Sequence, residues 1–145
     1  APGRDLRRGR AAALNIVPTT THATRAVMQV LPSLAGKLEG TSTRVPVPDV
    51  SMFDLTVTLD RPTELAEALE VLTEAARSPE LRGILDVREA PLVSSDLVGV
   101  THSSVVDVGA CVSSGPLLRI AGWYDNESGY AARVLDLAAM VGRNL

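Results

Sequence analysis

Val50-Ser51-Met52-Phe53-Asp54-Leu55-Thr56-Val57-Thr58-Leu59 repeats with a period of two, placing Phe53, Leu55, Val57 and Leu59 on one side and the more polar Met52, Asp54, Thr56 and Thr58 on the other. That alternation predicts a strand with one face against a core and the other partly wet or against a partner. A few residues on, the period lengthens. Thr63 to Arg77 sets Leu65, Leu69, Leu72 and Ala76 along one stripe at helical spacing. Thr63 is the expected cap, and Glu64 and Glu67 suit the positive end of the helix. Ser78-Pro79 stops it.

Downstream, short strands are expected at Gly83–Val87, Leu92–Ser94, Val105–Val108, Cys111–Ser113 and Leu117–Trp123, with Ser114-Gly115 as a hairpin turn. A closing helix is expected from about Asn126 to Gly142, capped by Asp125 or Asn126, with Tyr130, Val134, Leu137, Ala138 and Val141 as its apolar face. Upstream, residues 1–10 read as loop, broken by Pro2, Gly3 and Gly9. Residues 11–17 are apolar and closed by Pro18, and Thr19, Thr20 and Thr21 offer capping hydroxyls to a helix carrying Ala23, Val27, Val30 and Leu31. Thr41 to Val47 is β-rich, and Pro46 and Pro48 predict an exposed or irregular strand end. The order helix, two strands, helix, several strands, helix predicts an α+β domain: a mixed, largely antiparallel sheet with helices packed on one face. No glycine fingerprint for a dinucleotide and no internal repeat occurs.

The chain has 145 residues, 46% of them hydrophobic, which suits one domain with a real core and excludes wholesale disorder. A net charge of -3 provides no polycationic field for nucleic acid. No apolar run reaches the length of a membrane span, and Ala1 to Arg10 has no apolar signal core. The single cysteine, Cys111, cannot form an internal disulfide; it fits a reducing, cytoplasmic setting and reads as a small buried thiol. His22 and His102 are too far apart in sequence for a metal motif, so no metal is expected. Of the 14 positive residues only Lys37 is a lysine, and Arg4, Arg7, Arg8 and Arg10 crowd the start.

Three places could carry chemistry. Thr21 and His22 stand at the expected start of a helix, where free amides either hold an anion or are merely capped. Arg44, on a half-polar strand, faces either solvent or a ligand. Trp123-Tyr124-Asp125-Asn126-Glu127-Ser128-Gly129-Tyr130 joins a strand to a helix, and reads either as a ligand-recognising junction or as an aromatic anchor followed by a cap.

Five ordered motifs resemble the phosphorylating glyceraldehyde-3-phosphate dehydrogenases, over nearly the whole chain. Asp5-Leu6-Arg7-Arg8-Gly9-Arg10-Ala11-Ala12 is similar to the end of that family's S-shaped loop, and Pro18-Thr19-Thr20-Thr21 to the phosphate-binding turn after it. Arg44-Val45-Pro46-Val47-Pro48-Asp49-Val50-Ser51 resembles the arginine-bearing strand, and His102-Ser103-Ser104 and Trp123 to Tyr130 complete the set. The resemblance implies the family's C-terminal catalytic domain. Residues 1–10 would end the S-shaped loop, 11–125 would form the substrate- and phosphate-binding domain, and 126–145 a helix packing toward a separate NAD-binding domain.

By the same resemblance, Thr21, with His22 beside it, and Arg44 would bind the phosphates of glyceraldehyde 3-phosphate and inorganic phosphate. Asn126 would hydrogen-bond the nicotinamide carboxamide of NAD, and Tyr130 would lie beside its ring. Arg7, Arg8 and Arg10 would serve near the active site and the subunit interface of a homotetramer, or against a complementary N-terminal fragment. The family's nucleophilic cysteine and base histidine would precede Ala1; Cys111 and His102 match neither, so no catalytic residue is expected here and the chain alone would be inactive. His22 stands where the family usually has glycine, which brings erythrose-4-phosphate dehydrogenases into view, whereas Tyr124 favours the glyceraldehyde phosphate branch. A non-catalytic scaffold or phosphometabolite-binding protein of the same fold is the remaining alternative.

Overall fold

A computed structural model describes residues 5–143. Pro2, Gly3 and Arg4 of the expected first loop, and residues 144–145 of the expected last segment, lie outside the described residues. The chain divides into two compact units, Ala1–Pro48 and Asp49–Leu145.

In the first unit the Asp5 carboxylate accepts the amides of Arg7 (2.9 Å) and Arg8 (3.1 Å), closing a turn. A 3-10 turn, Ala12–Leu14, leads into strand β1, Val17–Thr19. Helix α1 (Ala23–Val30), a 3-10 turn at Pro32–Leu34 and strand β2 (Ser42–Arg44) follow. β1 and β2 pair antiparallel, Val17 with Arg44 and Thr19 with Ser42. Pro18 therefore sits inside β1 rather than closing the apolar stretch before it, a position open to proline because β1 is an edge strand. The expected strand over Thr41–Val47 is shortened to three residues, and the Val47 amide turns back onto the Val45 carbonyl (2.7 Å) between the two prolines.

The second unit contains β3 (Ser51–Thr58), α2 (Leu65–Arg77), β4 (Leu85–Arg88), β5 (Ser104–Asp107), β6 (Val112–Ser114), β7 (Leu117–Tyr124) and α3 (Asn126–Gly142). Its sheet runs β3-β7-β5-β4, with β6 also on β7. Every pairing is antiparallel except β4 with β5, so the sheet is mixed and largely antiparallel, as its sequence pattern predicts. α2 lies against the core: Ala68 joins Val106, Cys111, Leu118 and Ile120, with Phe53, Val57, Leu65, Leu69 and Leu72 packed around them. Cys111 is a buried free thiol whose sulfur lies 3.1 Å from the Asp107 carbonyl.

Three local expectations are corrected. α2 begins at Leu65, not at Thr63, because the Thr63 amide is drawn to the Gly115 carbonyl (3.3 Å) and its hydroxyl donates to the Arg61 carbonyl (3.3 Å). Leu92–Ser94 forms no strand. Ser94–Leu97 is a 3-10 turn held by the Asp96 carboxylate on the Val93 amide (2.8 Å), the local competition with ladders that short polar side chains offer. The β6–β7 loop is Gly115-Pro116 rather than Ser114-Gly115, since Ser114 pairs with Leu117. Gly115 supplies a φ of 58°, and proline's fixed negative φ follows it, the combination a type II′ hairpin needs.

α3 keeps its predicted bounds but not a covered stripe. Tyr130, Val134, Leu137 and Val141 are all exposed. The helix is held at its first half instead. Gly129 is buried so closely that a Cβ would stand 3.2 Å from the His102 carbonyl oxygen. One turn on, the Arg133 guanidinium donates to the carbonyls of Gly83 (3.3 Å) and Thr101 (3.4 Å) and to the Ser103 hydroxyl (3.0 Å).

Candidate functional site

The first unit presents the start of α1. His22 is the N-cap residue, and its ring caps nothing; Thr21, one residue earlier, accepts the Ala23 amide at 3.1 Å. The Thr21 hydroxyl retains its own proton for donation to a ligand. Among the described residues the amides of Thr24 and Arg25 have no hydrogen-bond partner, as expected of a helix start. Gly40 lies directly beneath: a Cβ there would come within 2.8 Å of the Thr24 methyl and 3.9 Å of the Thr21 methyl. No sequence signal marks Gly40, because the approach is made across the 15 residues that separate it from Thr24.

Four arginines of this unit, Arg7, Arg8, Arg10 and Arg44, are candidates for the site. Arg8 donates from Nε to the Thr19 hydroxyl (2.7 Å) and lies 3.8 Å from the Asp5 carboxylate. Its neighbours' amides hold the Asp5 carboxyl below the usual carboxylate range: the Arg8 and Arg7 backbone hydrogen bonds, in that order. The Arg7 and Arg10 side chains are exposed and make no hydrogen bond among the described residues. Arg44 is exposed and equally uncommitted. The ladder sets it opposite Val17, so four residues of β1 and its continuation, roughly 13 Å of extended chain, separate its register position from Thr21. The structure thus brings Thr21 and His22 together, adds Arg8 through Thr19, and places Arg44 at the other end of the same ladder.

In the second unit the strand–helix junction resolves into distinct jobs. The Trp123 indole N–H donates to the Asp107 carboxylate (3.0 Å), anchoring the end of β7. Asp125 is buried and caps α3: one oxygen accepts the Ser128 amide (2.8 Å), the other the Gly99 amide (2.8 Å). Those two amides, Ser128 first, hold its carboxyl below the ordinary value of 3.8. With the anchor and the cap thus assigned, Asn126 and Tyr130 remain exposed on α3, and Tyr130 is not among the hydrophobic residues packed on the core with Leu65 and Leu69. Beside them the Asp49, Asp125 and Glu127 carboxylates lie within 4.8 Å of one another. Asp49 also accepts the amide of Val50 (2.7 Å), which holds a φ of 66° unfavourable for a β-branched residue. Sequence spacing could not reveal this cluster, whose members come from opposite ends of the unit.

The Asp125 cap has a pH signature. A folded-state pKa below the unfolded one contributes stability that is complete above the unfolded value and fades as pH falls through the folded value. Asp125→Asn is expected to melt below the parent at pH 7, with the gap closing as pH falls below the ordinary carboxyl value of 3.8. Thermal melts from pH 7 to pH 2.5 check this; a gap independent of pH contradicts the assigned role.

Fold and site together define an α+β domain that carries an open helix start with a threonine hydroxyl, with Arg8 on the preceding Thr19 and an uncommitted Arg44 at the other end of the β1–β2 ladder. Comparison with known proteins agrees. The family described as glyceraldehyde 3-phosphate dehydrogenase, C-terminal domain, matches residues 1–126. Glyceraldehyde-3-phosphate dehydrogenase 2 of Streptomyces arenae is 51% identical over 145 residues, all of this chain and 43% of that protein. The Borreliella burgdorferi glyceraldehyde-3-phosphate dehydrogenase is 53% identical over 139 residues, 94% of this chain and 42% of that protein. The chain belongs to the glyceraldehyde 3-phosphate dehydrogenase C-terminal domain family. It spans less than half the length of these relatives. No helix among the described residues is long and apolar enough to cross a membrane.

Proposed function

We propose that this chain is the substrate- and phosphate-binding part of an NAD-dependent, phosphorylating glyceraldehyde-3-phosphate dehydrogenase, working in glycolysis in the cytoplasm. The observation that carries the reading is the start of α1: free amides of Thr24 and Arg25, the Thr21 hydroxyl and an uncommitted Arg44 in one small unit, with Arg8 beside Thr19. Such a start favours a tetrahedral oxyanion through aligned N–H groups and the positive helix end. Arg44 supplies the planar fork that matches phosphate oxygens.

Asn126 offers both a carbonyl and an NH2 group, a fit for a carboxamide such as that of nicotinamide, and Tyr130 lies one turn further along the same exposed side. NAD, when bound, supplies the hydride acceptor. Thr21 and Arg44 orient phosphorylated substrate and inorganic phosphate, while Asn126 and Tyr130 border the cofactor. Arg7, Arg8 and Arg10 face a neighbouring subunit of a homotetramer or a complementary N-terminal part. The nucleophilic cysteine and the base belong to that other part, since Cys111 is buried in the core of the second unit.

The purified chain is accordingly expected to produce no NADH from NAD, phosphate and glyceraldehyde 3-phosphate. Mixing it with an NAD-binding half from a relative is expected to restore measurable turnover at 340 nm. Sustained NADH formation by the chain alone would contradict the division of labour.

A further inference from the structure

The loop beside α3 is fixed at both ends. Leu97, just before residues 98–103, is fully buried, and after them the Ser104 amide opens β5 by donating to the Ile84 carbonyl (3.1 Å). Gly83 precedes that same Ile84 on the way into β4. α3 is tied to this base at three levels. At its start the Asp125 carboxylate accepts the Gly99 amide (2.8 Å). One turn on, Gly129 leaves so little room that an added Cβ would stand 3.2 Å from the His102 carbonyl oxygen. One further turn on, Arg133 Nη1 donates to the Ser103 hydroxyl (3.0 Å) and to the carbonyls of Gly83 (3.3 Å) and Thr101 (3.4 Å). The rest of the guanidinium is engaged: Nε and Nη2 each lie 2.8 Å from Asp136 Oδ2, which orients the planar fork so that Nη1 reaches the loops. A surface ion pair within one helix contributes little on its own. The three oxygens from two other segments are what set Arg133 apart.

We propose that Arg133 is a positioning residue for the cofactor edge of α3: by tying the helix to Gly83, Thr101 and Ser103 it fixes the direction in which Asn126 and Tyr130 are presented. The proposal rests on the reading of those two residues as the border of the NAD site. A cap fixes where a helix begins but leaves it free to swing and turn about that point. Arg133 adds a second tie about 12 Å further along the axis, at a rise of about 1.5 Å per residue, and removes both freedoms. Asn126, Tyr130 and Arg133 follow one another at spacings of four and three residues, so they share one side of the helix. A rotation that Arg133 prevents would therefore carry Asn126 and Tyr130 with it. The Gly99 amide belongs to the same circuit, because the loop that Arg133 grips at Thr101 and Ser103 is the loop that caps the helix.

The first test follows backbone amide exchange by NMR in the full 145-residue chain and in Arg133→Met, which keeps an aliphatic stem and loses the donors. Exchange at the Gly99, Ser128 and Gly129 amides is expected to speed up by about tenfold, while the amides of the β5–β7 ladder change by less than about twofold. Arg133→Lys retains the charge, but its single nitrogen must serve Asp136 and the loops together, so it is expected to fall in between. It carries the same comparison should Arg133→Met fail to fold. Unchanged exchange at Gly99 overturns the proposal, as does equal acceleration of every amide, which is a loss of global stability alone. The second test is kinetic, in enzyme rebuilt with an NAD-binding half. Arg133→Met is expected to raise the KM for NAD about tenfold and to leave the KM for inorganic phosphate within about twofold. If Asn126→Ala raises the KM for NAD and Arg133→Met does not, the proposal is overturned. If Asn126→Ala leaves that KM unchanged, the cofactor-border reading fails instead, and the exchange measurement alone decides whether Arg133 places the helix.

Discussion

Gly122→Ala is expected to unfold the second unit or to cost it about 3 kcal/mol or more, the upper range for forcing atoms into a packed core. Gly122 sits in β7 between two neighbours, opposite Phe53 of β3 and Val106 of β5. A Cβ built there would stand 2.4 Å from the Val105 carbonyl oxygen and 2.7 Å from two carbons of the Phe53 ring. The ring could turn aside. The carbonyl cannot, because it belongs to the strand that pairs with β7 at this point. Relief requires β5 and β7 to part, which breaks the ladder and uncovers Val105 and Val106, both almost fully buried. Urea denaturation followed by circular dichroism checks this. A midpoint within error of the parent would mean that the two strands do not meet as closely as described.

That constraint marks where sequence reading stopped. Strong periodicity was legible. β3 follows its period of two, α2 follows its leucine stripe, and α3 runs from Asn126 to Gly142 as its pattern predicts. Pieces of three or four residues carry too few positions to show a period, so Leu92–Ser94 reads as a strand while the Asp96 side chain makes it a turn. Boundaries shifted where a distant group intervened, as the Gly115 carbonyl does for Thr63. The site divides along the same line. Thr21 and His22 at a helix start, and Asp125 as a cap, follow from local rules. Gly40 beneath Thr24, Gly99 bound to Asp125, and Arg8 on Thr19 are meetings across the fold that no local pattern encodes.

The second large effect concerns Arg44. In the isolated chain it has no partner among the described residues, so Arg44→Ala removes no structural bond and is expected to leave stability within about 0.5 kcal/mol of the parent. A guanidinium pairing with phosphate is a charge-assisted, two-pronged contact worth about 1.5–3 kcal/mol, so its loss is expected to weaken phosphate binding about tenfold to a hundredfold. Arg44→Lys keeps the charge but not the fork and is expected to fall in between. Thr21→Ala removes both a donor to the anion and the bond to the Ala23 amide, so it is expected to weaken binding and loosen α1 together. The most direct test is calorimetric titration of inorganic phosphate into the chain and into Arg44→Ala at low salt. Saturable binding that drops at least about tenfold in the variant supports the phosphate-binding assignment; equal binding by both chains, or none by the parent, contradicts it.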